Sequence, residues 1–189
     1  MNDPSDEALM RDVRDGNVAS LGTLFERHHR RIHALCYRLV RRSDAADDLV
    51  QETFLRVLRY RETFREDAAF TTWVYRIAWN ACHEHWRQMR RAESAPLALV
   101  QTDSADATLS ERHVLLDHAL GRLEPEHRAV LVLTRYHGLK YDDVARVLDC
   151  TPAAARVRAH RALNELREIC RELEQREDEL RRQSRGDRR

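Results

Sequence analysis

The densest chemistry in the sequence lies in TPAAARVRAHRALNELR, residues 151–167. Arg156, Arg158, His160, Arg161 and Arg167 stand there on an alanine-rich run that holds no glycine. Guanidinium groups on one helix face can pair with guanine edges, and flanking ones can hold phosphates. A second cluster is FTTWVYRIAWNACHEHWRQMRR, residues 70–91. It interleaves Tyr75, Trp79, His83 and Trp86 with Arg76, Arg87 and Arg90. Aromatic rings stack on opened bases, at ~1–3 kcal/mol each, while arginines follow the phosphates. The alternative for these rings is packing on neighbouring helices, since a tryptophan is usually core or half-buried. The sequence leaves both open.

Other chemistries find little support. In CHEHW, Cys82 with His85, or His83 with a distant thiol, could supply soft metal ligands. Zinc needs four at suitable spacing, and no partner pair is visible, so neither metal nor cofactor is expected. His28, His29 and His33 lie among Arg27, Arg30 and Arg31 and read as a solvated or nucleic-acid-near face. Cys36 and Cys82 read as small apolar packing residues. There is no P-loop, no glycine-rich phosphate cradle and no readable nucleophile–base pair, so no enzyme is expected. The cysteines form no C-x-x-C pair, the N-terminus MNDPSDEALM has no signal pattern, and no apolar run approaches the ~20 residues of a membrane span. A reduced, cytoplasmic protein with free thiols follows.

Helices must position these clusters. Among 189 residues there are 5 glycines and 4 prolines, and 34% of residues are charged. That composition, with no period-two β-branched runs, predicts an all-α protein. Two small helical domains joined by a linker are expected: residues 1–92, a flexible acidic linker over 93–109, a C-terminal domain over 110–173, and a charged tail over 174–189. Ser43 is placed as the cap of a helix running to about Tyr60. Phe70, Trp73, Val74, Ile77, Ala78 and Ala81 recur at i, i+3, i+4, i+7, i+8 and i+11, a strong helix signal. Ser110 is expected to start a helix, Pro125 the next, and Gly138 to close it.

A short helix over 141–148, a turn at Asp149-Cys150-Thr151 and a second helix capped by Thr151 form a helix-turn-helix. Ala155, Ala159, Ala162, Leu163 and Leu166 share its inner face, and Val157, His160, Arg161 and Asn164 face outward, with Arg156 and Arg158 on the flanks. Such a second helix fits the major groove. The net charge of +1 names no partner, but the alternation of basic and acidic segments points to a polyanion for some of them.

DDLVQETFLRVLRY followed by FTTWVYRIAWNACHEHWRQ resembles the second conserved region of extracytoplasmic-function sigma factors of bacterial RNA polymerase. LEPEHRAVLVLTRYHGLKYDDVARVLDCTPAAARVRAHRAL resembles their fourth region, and the third is absent, as in this minimal class. The resemblance implies that Asp47, Asp48, Leu49, Gln51, Glu52, Leu55 and Arg56 dock on core RNA polymerase. It implies that the loop over 61–69, including Phe64, and the helix carrying Arg76, Trp79, Asn80, His83 and Arg87 hold the opened minus-ten strand. Arg156, Val157, His160 and Arg161 match positions that read the minus-thirty-five duplex, and Arg158 a basic position of phosphate or packing duty. An anti-sigma factor is expected from the family. The alternative is a helix-turn-helix regulator that binds promoter DNA without joining polymerase. An aromatic–basic stripe in place of a ligand or dimer domain favours the sigma reading. Lys140, a poor cap, Asp149 in place of a frequent glycine, Ala153-Ala154 and the outward Val157 depart from the family's pattern.

Overall fold

The computed structural model describes residues 3–65, 69–92 and 111–186, with side chains as far as Arg176 in the last helix. The linker and Ser110 lie outside the described residues. All regular structure there is helical: α1 (Asp6–Arg14), α2 (Ala19–Val40), α3 (Ser43–Arg59), α4 (Phe70–Ala92), α5 (Glu111–Arg122), α6 (Pro125–Leu131), α7 (Tyr141–Leu148) and α8 (Pro152–Gly186). A short 3-10 turn follows α3, and a π-helical turn over Val132–Tyr136 follows α6.

Local sequence fixes most of the boundaries. Ser5 caps α1, accepting from the amide of Ala8. Arg41 takes the left-handed conformation that ends α2. Ser43 is the first residue of α3 and gives no cap; Arg42 precedes it and binds the Asp44 carboxylate at 2.6 Å. Pro125 opens α6, and Gly138 at φ +66 leaves the π-helical turn. Asp149 at φ 53 ends α7, and the Thr151 hydroxyl accepts from the amide of Ala154 to start α8.

The N-terminal helices pack as a bundle around Leu24, Ile32, Leu35, Val57, Phe70 and Val74, all fully or almost fully buried. The C-terminal helices close around Val130, Leu133, Val144 and Ala155. These two centres join in one contiguous core, because α4 lies between α2 and α3 on one side and α7 on the other. The Tyr75 hydroxyl meets Nδ1 of His137 at 3.0 Å, and the Thr72 hydroxyl donates to Asp143 at 3.2 Å. Arg38 lies over the Tyr136 ring at 4.2 Å.

Two buried arginines clasp the halves in opposite directions. Arg128 of α6 donates to the carbonyl of Leu39 at the end of α2, and to those of Gly121 and Leu123. Arg41, just after α2, donates to the backbone carbonyl and the carboxylate of Asp117 in α5. Arg128 thereby meets the carbonyl-rich C-terminal end of α2, where partial negative charge gathers, whereas Arg41 meets the middle of α5.

Candidate nucleic-acid interface

The helix-turn-helix is built by α7 and α8. Val144, Ala145 and Leu148 of α7 are buried against Ala155, Ala159 and Ala162 of α8. Alanine on the α8 side lets the two backbones approach closely. That leaves Arg156, Val157, His160 and Arg161 exposed on one outward face. Arg156 lies 5.7 Å from the centre of the Tyr141 ring, and His160 neighbours Asn164 at 3.4 Å. Arg158 is different. It is only 26% exposed and pairs with Glu126 of α6 at 3.1 Å, which fits a brace inside the C-terminal domain better than a phosphate contact. The neighbouring His127–Glu165 contact at 2.5 Å ties α6 to α8 in the same way.

On α4 the expected contact residues divide into two groups. Arg76, Asn80, His83 and Arg87 are exposed on one side of the helix. Trp79 is 7% exposed, packed edge-on against Trp86 and tilted against His83. Tyr75, a member of the aromatic–basic cluster, is 2% exposed against His137. Both rings pack inward because α4 is covered on two sides, and a helix buried on both flanks is apolar nearly all round. Phe64 is likewise core, 3% exposed and edge-on to Trp73 and Phe70. In this arrangement neither Trp79 nor Phe64 offers a ring to a base.

A cavity of about 380 Å³ opens beside the exposed arginine side of α4. Tyr60, Thr63, Trp73, Arg76, Ile77 and Asn80 line it from the N-terminal half, and Arg146 of α7 closes it from the other. Tyr60, Thr63 and Trp73 were not singled out from sequence, although their place beside the 61–69 loop was a signal for them. Arg76 also reaches to within 3.7 Å of the Asp149 carboxylate. The C-terminal half thus faces the side of α4 that the resemblance assigns to strand contact. Residues 66–68 of that loop lie outside the described residues.

The expected docking helix, α3, shows a comparable division. Leu55 is 62% exposed, and Asp47, Asp48 and Gln51 are exposed around it. Leu49 is buried with Val50, Thr53 and Val57 and belongs to the core, not to a docking patch. Arg56 sits between Glu52 at 2.6 Å and Glu84 at 2.7 Å, bracing α3 to α4. Burial works against its charge, but the hydrogen bonds to Glu52 and Glu84 outweigh it and hold the guanidinium above its usual range. Asp47 pairs with His33 at 3.3 Å.

His28 is not on a solvated face. It is 5% exposed, bonded to Asp6 of α1 and set against Phe70. A hydrogen bond from the Cys82 thiol to Cys36, and then burial, raise the Cys82 pKa well above its usual value and make it a poor thiolate, in keeping with an apolar packing role. His137 is pushed down to about 4, first by burial and then by the charges of Arg38 and Arg31. The Tyr75 hydroxyl therefore meets a neutral ring at ordinary pH. No group of three or more His, Cys, Asp or Glu suited to a metal occurs among the described residues, and no described helix is long and apolar enough to cross a membrane.

Residues 24–92 match the family described as sigma-70 region 2, and residues 113–166 match sigma-70 region 4. The chain is 36% identical over 172 residues to RNA polymerase sigma factor CarQ of Myxococcus xanthus, covering 87% of this chain and 97% of that protein. It is 34% identical over 158 residues to the ECF RNA polymerase sigma factor SigM of Mycobacterium tuberculosis, covering 84% and 81%. Its fold is similar to that of CnrH, solved in complex with the cytosolic domain of CnrY. That match has a TM-score of 0.68 and 25% identity, covering 88% of this chain and 97% of that one.

Proposed function

Since the chain belongs to the extracytoplasmic-function sigma factors of bacterial RNA polymerase, we propose how its surfaces divide the work of transcription initiation. The α3 face around Leu55, with Asp47, Asp48, Gln51 and Glu52, docks on core polymerase. The α4 side carrying Arg76, Asn80, His83 and Arg87 meets the opened minus-ten strand. The exposed face of α8 carrying Arg156, Val157, His160 and Arg161 enters the minus-thirty-five duplex. The domain boundaries follow: 1–92 for docking and strand opening, 93–109 as linker, 110–173 for upstream duplex, and 174–189 as tail. Bond making belongs to the polymerase, so the chain contributes recognition, not catalysis.

One observation carries this division. The same fold exposes a guanidinium-rich face on each of two separate modules, and an acidic face with one prominent leucine on a third helix. A helix-turn-helix regulator working alone has use for only one of these. Duplex contact through α8 suits a groove reader. Arginines beside a cavity on α4 suit a single strand, whose backbone they follow while an unstacked base enters.

The packed arrangement also bears on control. B-DNA rises about 3.4 Å per base pair, so elements some two dozen base pairs apart lie roughly 80 Å from each other. A chain whose α4 and α7 touch cannot reach both. The two halves therefore separate when polymerase and promoter are engaged, and the packed form is the idle one. An anti-sigma factor acts by holding that form; the similar CnrH was solved with a partner domain bound. Mixing the chain with purified core polymerase tests the assignment. Co-elution of the two, lost on charge reversal at Asp48 and Glu52 with the helical spectrum unchanged, is the expected result. Undiminished co-elution of that variant would remove α3 as the docking face.

A further inference from the structure

Val157 is 52% exposed and is the only large exposed aliphatic side chain on α8 among the described residues. On the helix it sits near the centre of the outward face, one turn beyond Ala153 and one turn before Arg161. Ala153 and Ala154 are also exposed. With Val157, Arg158, Arg161 and His127 they line a shallow pocket of about 370 Å³. The result is a small apolar shelf with guanidinium groups on its edges.

Helix stability does not account for this shelf. Valine is β-branched and a poorer helix former than alanine at an exposed position. The core does not use it either, since Ala155, Ala159 and Ala162 make the inner contacts. In the major groove, however, one base-edge group is apolar: the C5-methyl of thymine, which alanine and other small apolar side chains touch. A cytosine at the same place offers an amino donor, which an aliphatic side chain would leave without a partner.

We propose that Val157, with the methyl groups of Ala153 and Ala154 beside it, reads a thymine methyl in the upstream promoter duplex, and so sets a sequence preference that the arginines do not. This rests on the proposed placement of α8 in that duplex. Burying one methyl group against another is equivalent to about a fourfold change in affinity. Arg156 and Arg161 supply hydrogen bonds and charge at the edges, and Val157 discriminates between two pyrimidines that they treat alike.

The test uses the full chain bound to core polymerase and a duplex library randomised over the ten base pairs of the upstream element. The selected sequences should share a thymine at one position. Replacing that thymidine by deoxyuridine removes only the methyl and should weaken binding about fourfold. Val157→Ala, whose shorter side chain leaves the methyl mainly to Ala153 and Ala154, should shrink the difference between the two duplexes to less than roughly twofold. Val157→Thr keeps the β-branched shape and one methyl and should fall between. The helical spectrum of each variant should match that of the unaltered chain, as an exposed site allows. Equal binding of thymidine and deoxyuridine duplexes by the unaltered chain would overturn the methyl contact while leaving promoter reading intact. A library from which no sequence is enriched would overturn promoter reading itself.

Discussion

Arg128→Met tests how the two halves are held together. The guanidinium is 8% exposed and donates to three carbonyls: Leu39 at 2.5 Å, Gly121 at 2.7 Å and Leu123 at 3.1 Å. Hydrogen bonds from a charged donor contribute roughly 1.5–3 kcal/mol each. Against this stands the cost of placing the charge there. Burial first, and then the nearby Arg41, push its pKa down to about 10. At 1.36 kcal/mol per unit that cost is about 3 kcal/mol. Methionine fills much of the space but removes the donors and the cost together, and leaves carbonyls with fewer partners. A net loss of about 1.5–6 kcal/mol follows, which brackets the cost of breaking a buried charged pair. With a urea slope of about 2 kcal/mol/M, the unfolding midpoint should fall by about 1–3 M. Because Leu39 belongs to the other half, a fluorophore pair on α3 and α8 should also report greater separation in the variant before unfolding. A loss below about 0.5 kcal/mol with unchanged separation would refute the reasoning, because the clasp would then be no better than its exchange with water.

Three further outcomes are expected. Leu55→Asp should weaken core-polymerase binding by about 1–3 kcal/mol, the scale for losing a buried leucine, with the unfolding midpoint unmoved because the side chain is already exposed. Arg161→Ala should cost about 1–3 kcal/mol in binding to the upstream duplex if it holds a guanine, and a matching loss on every sequence would reassign it to phosphate. His137 has a depressed pKa, so its contribution is present above about 6.5 and is lost as pH falls toward 4. Acidification through that window should open the α4–α7 contact, and His137→Phe should flatten the profile there in a separation or stability measurement.

The helix-turn-helix was legible in the sequence because its signals are local. Thr151-Pro152, the alanines at helical spacing and the turn at Asp149 each act within a few residues, and Asp149 adopts the left-handed turn that aspartate tolerates. The poor cap at Lys140 was visible in the same way, and it makes no side-chain cap bond. What the wheel could not show was a second partner. Tyr75 and Trp79 stand opposite the first apolar face of α4, and nothing local tells solvent from a distant helix. The structure covers that side with the C-terminal half, so packing accounts for those rings. The arginine clasp was hidden for a similar reason. Arg41 and Arg128 look like ordinary surface cations in sequence, and only the fold brings each to a helix of the other half. His28 is buried by α1, 22 residues away, and Phe64 by the start of α4 across a turn, contacts that helical periodicity does not carry.

Transcription started by the purified chain tests the central claim most directly. Core polymerase would be incubated with sheared genomic DNA, with and without the chain, and run-off products mapped to their start sites. The account predicts a discrete set of starts that appears only with the chain and shrinks with Arg161→Ala and Leu55→Asp. Identical products with and without it would contradict the claim that these helical modules turn core polymerase into a promoter-selective enzyme.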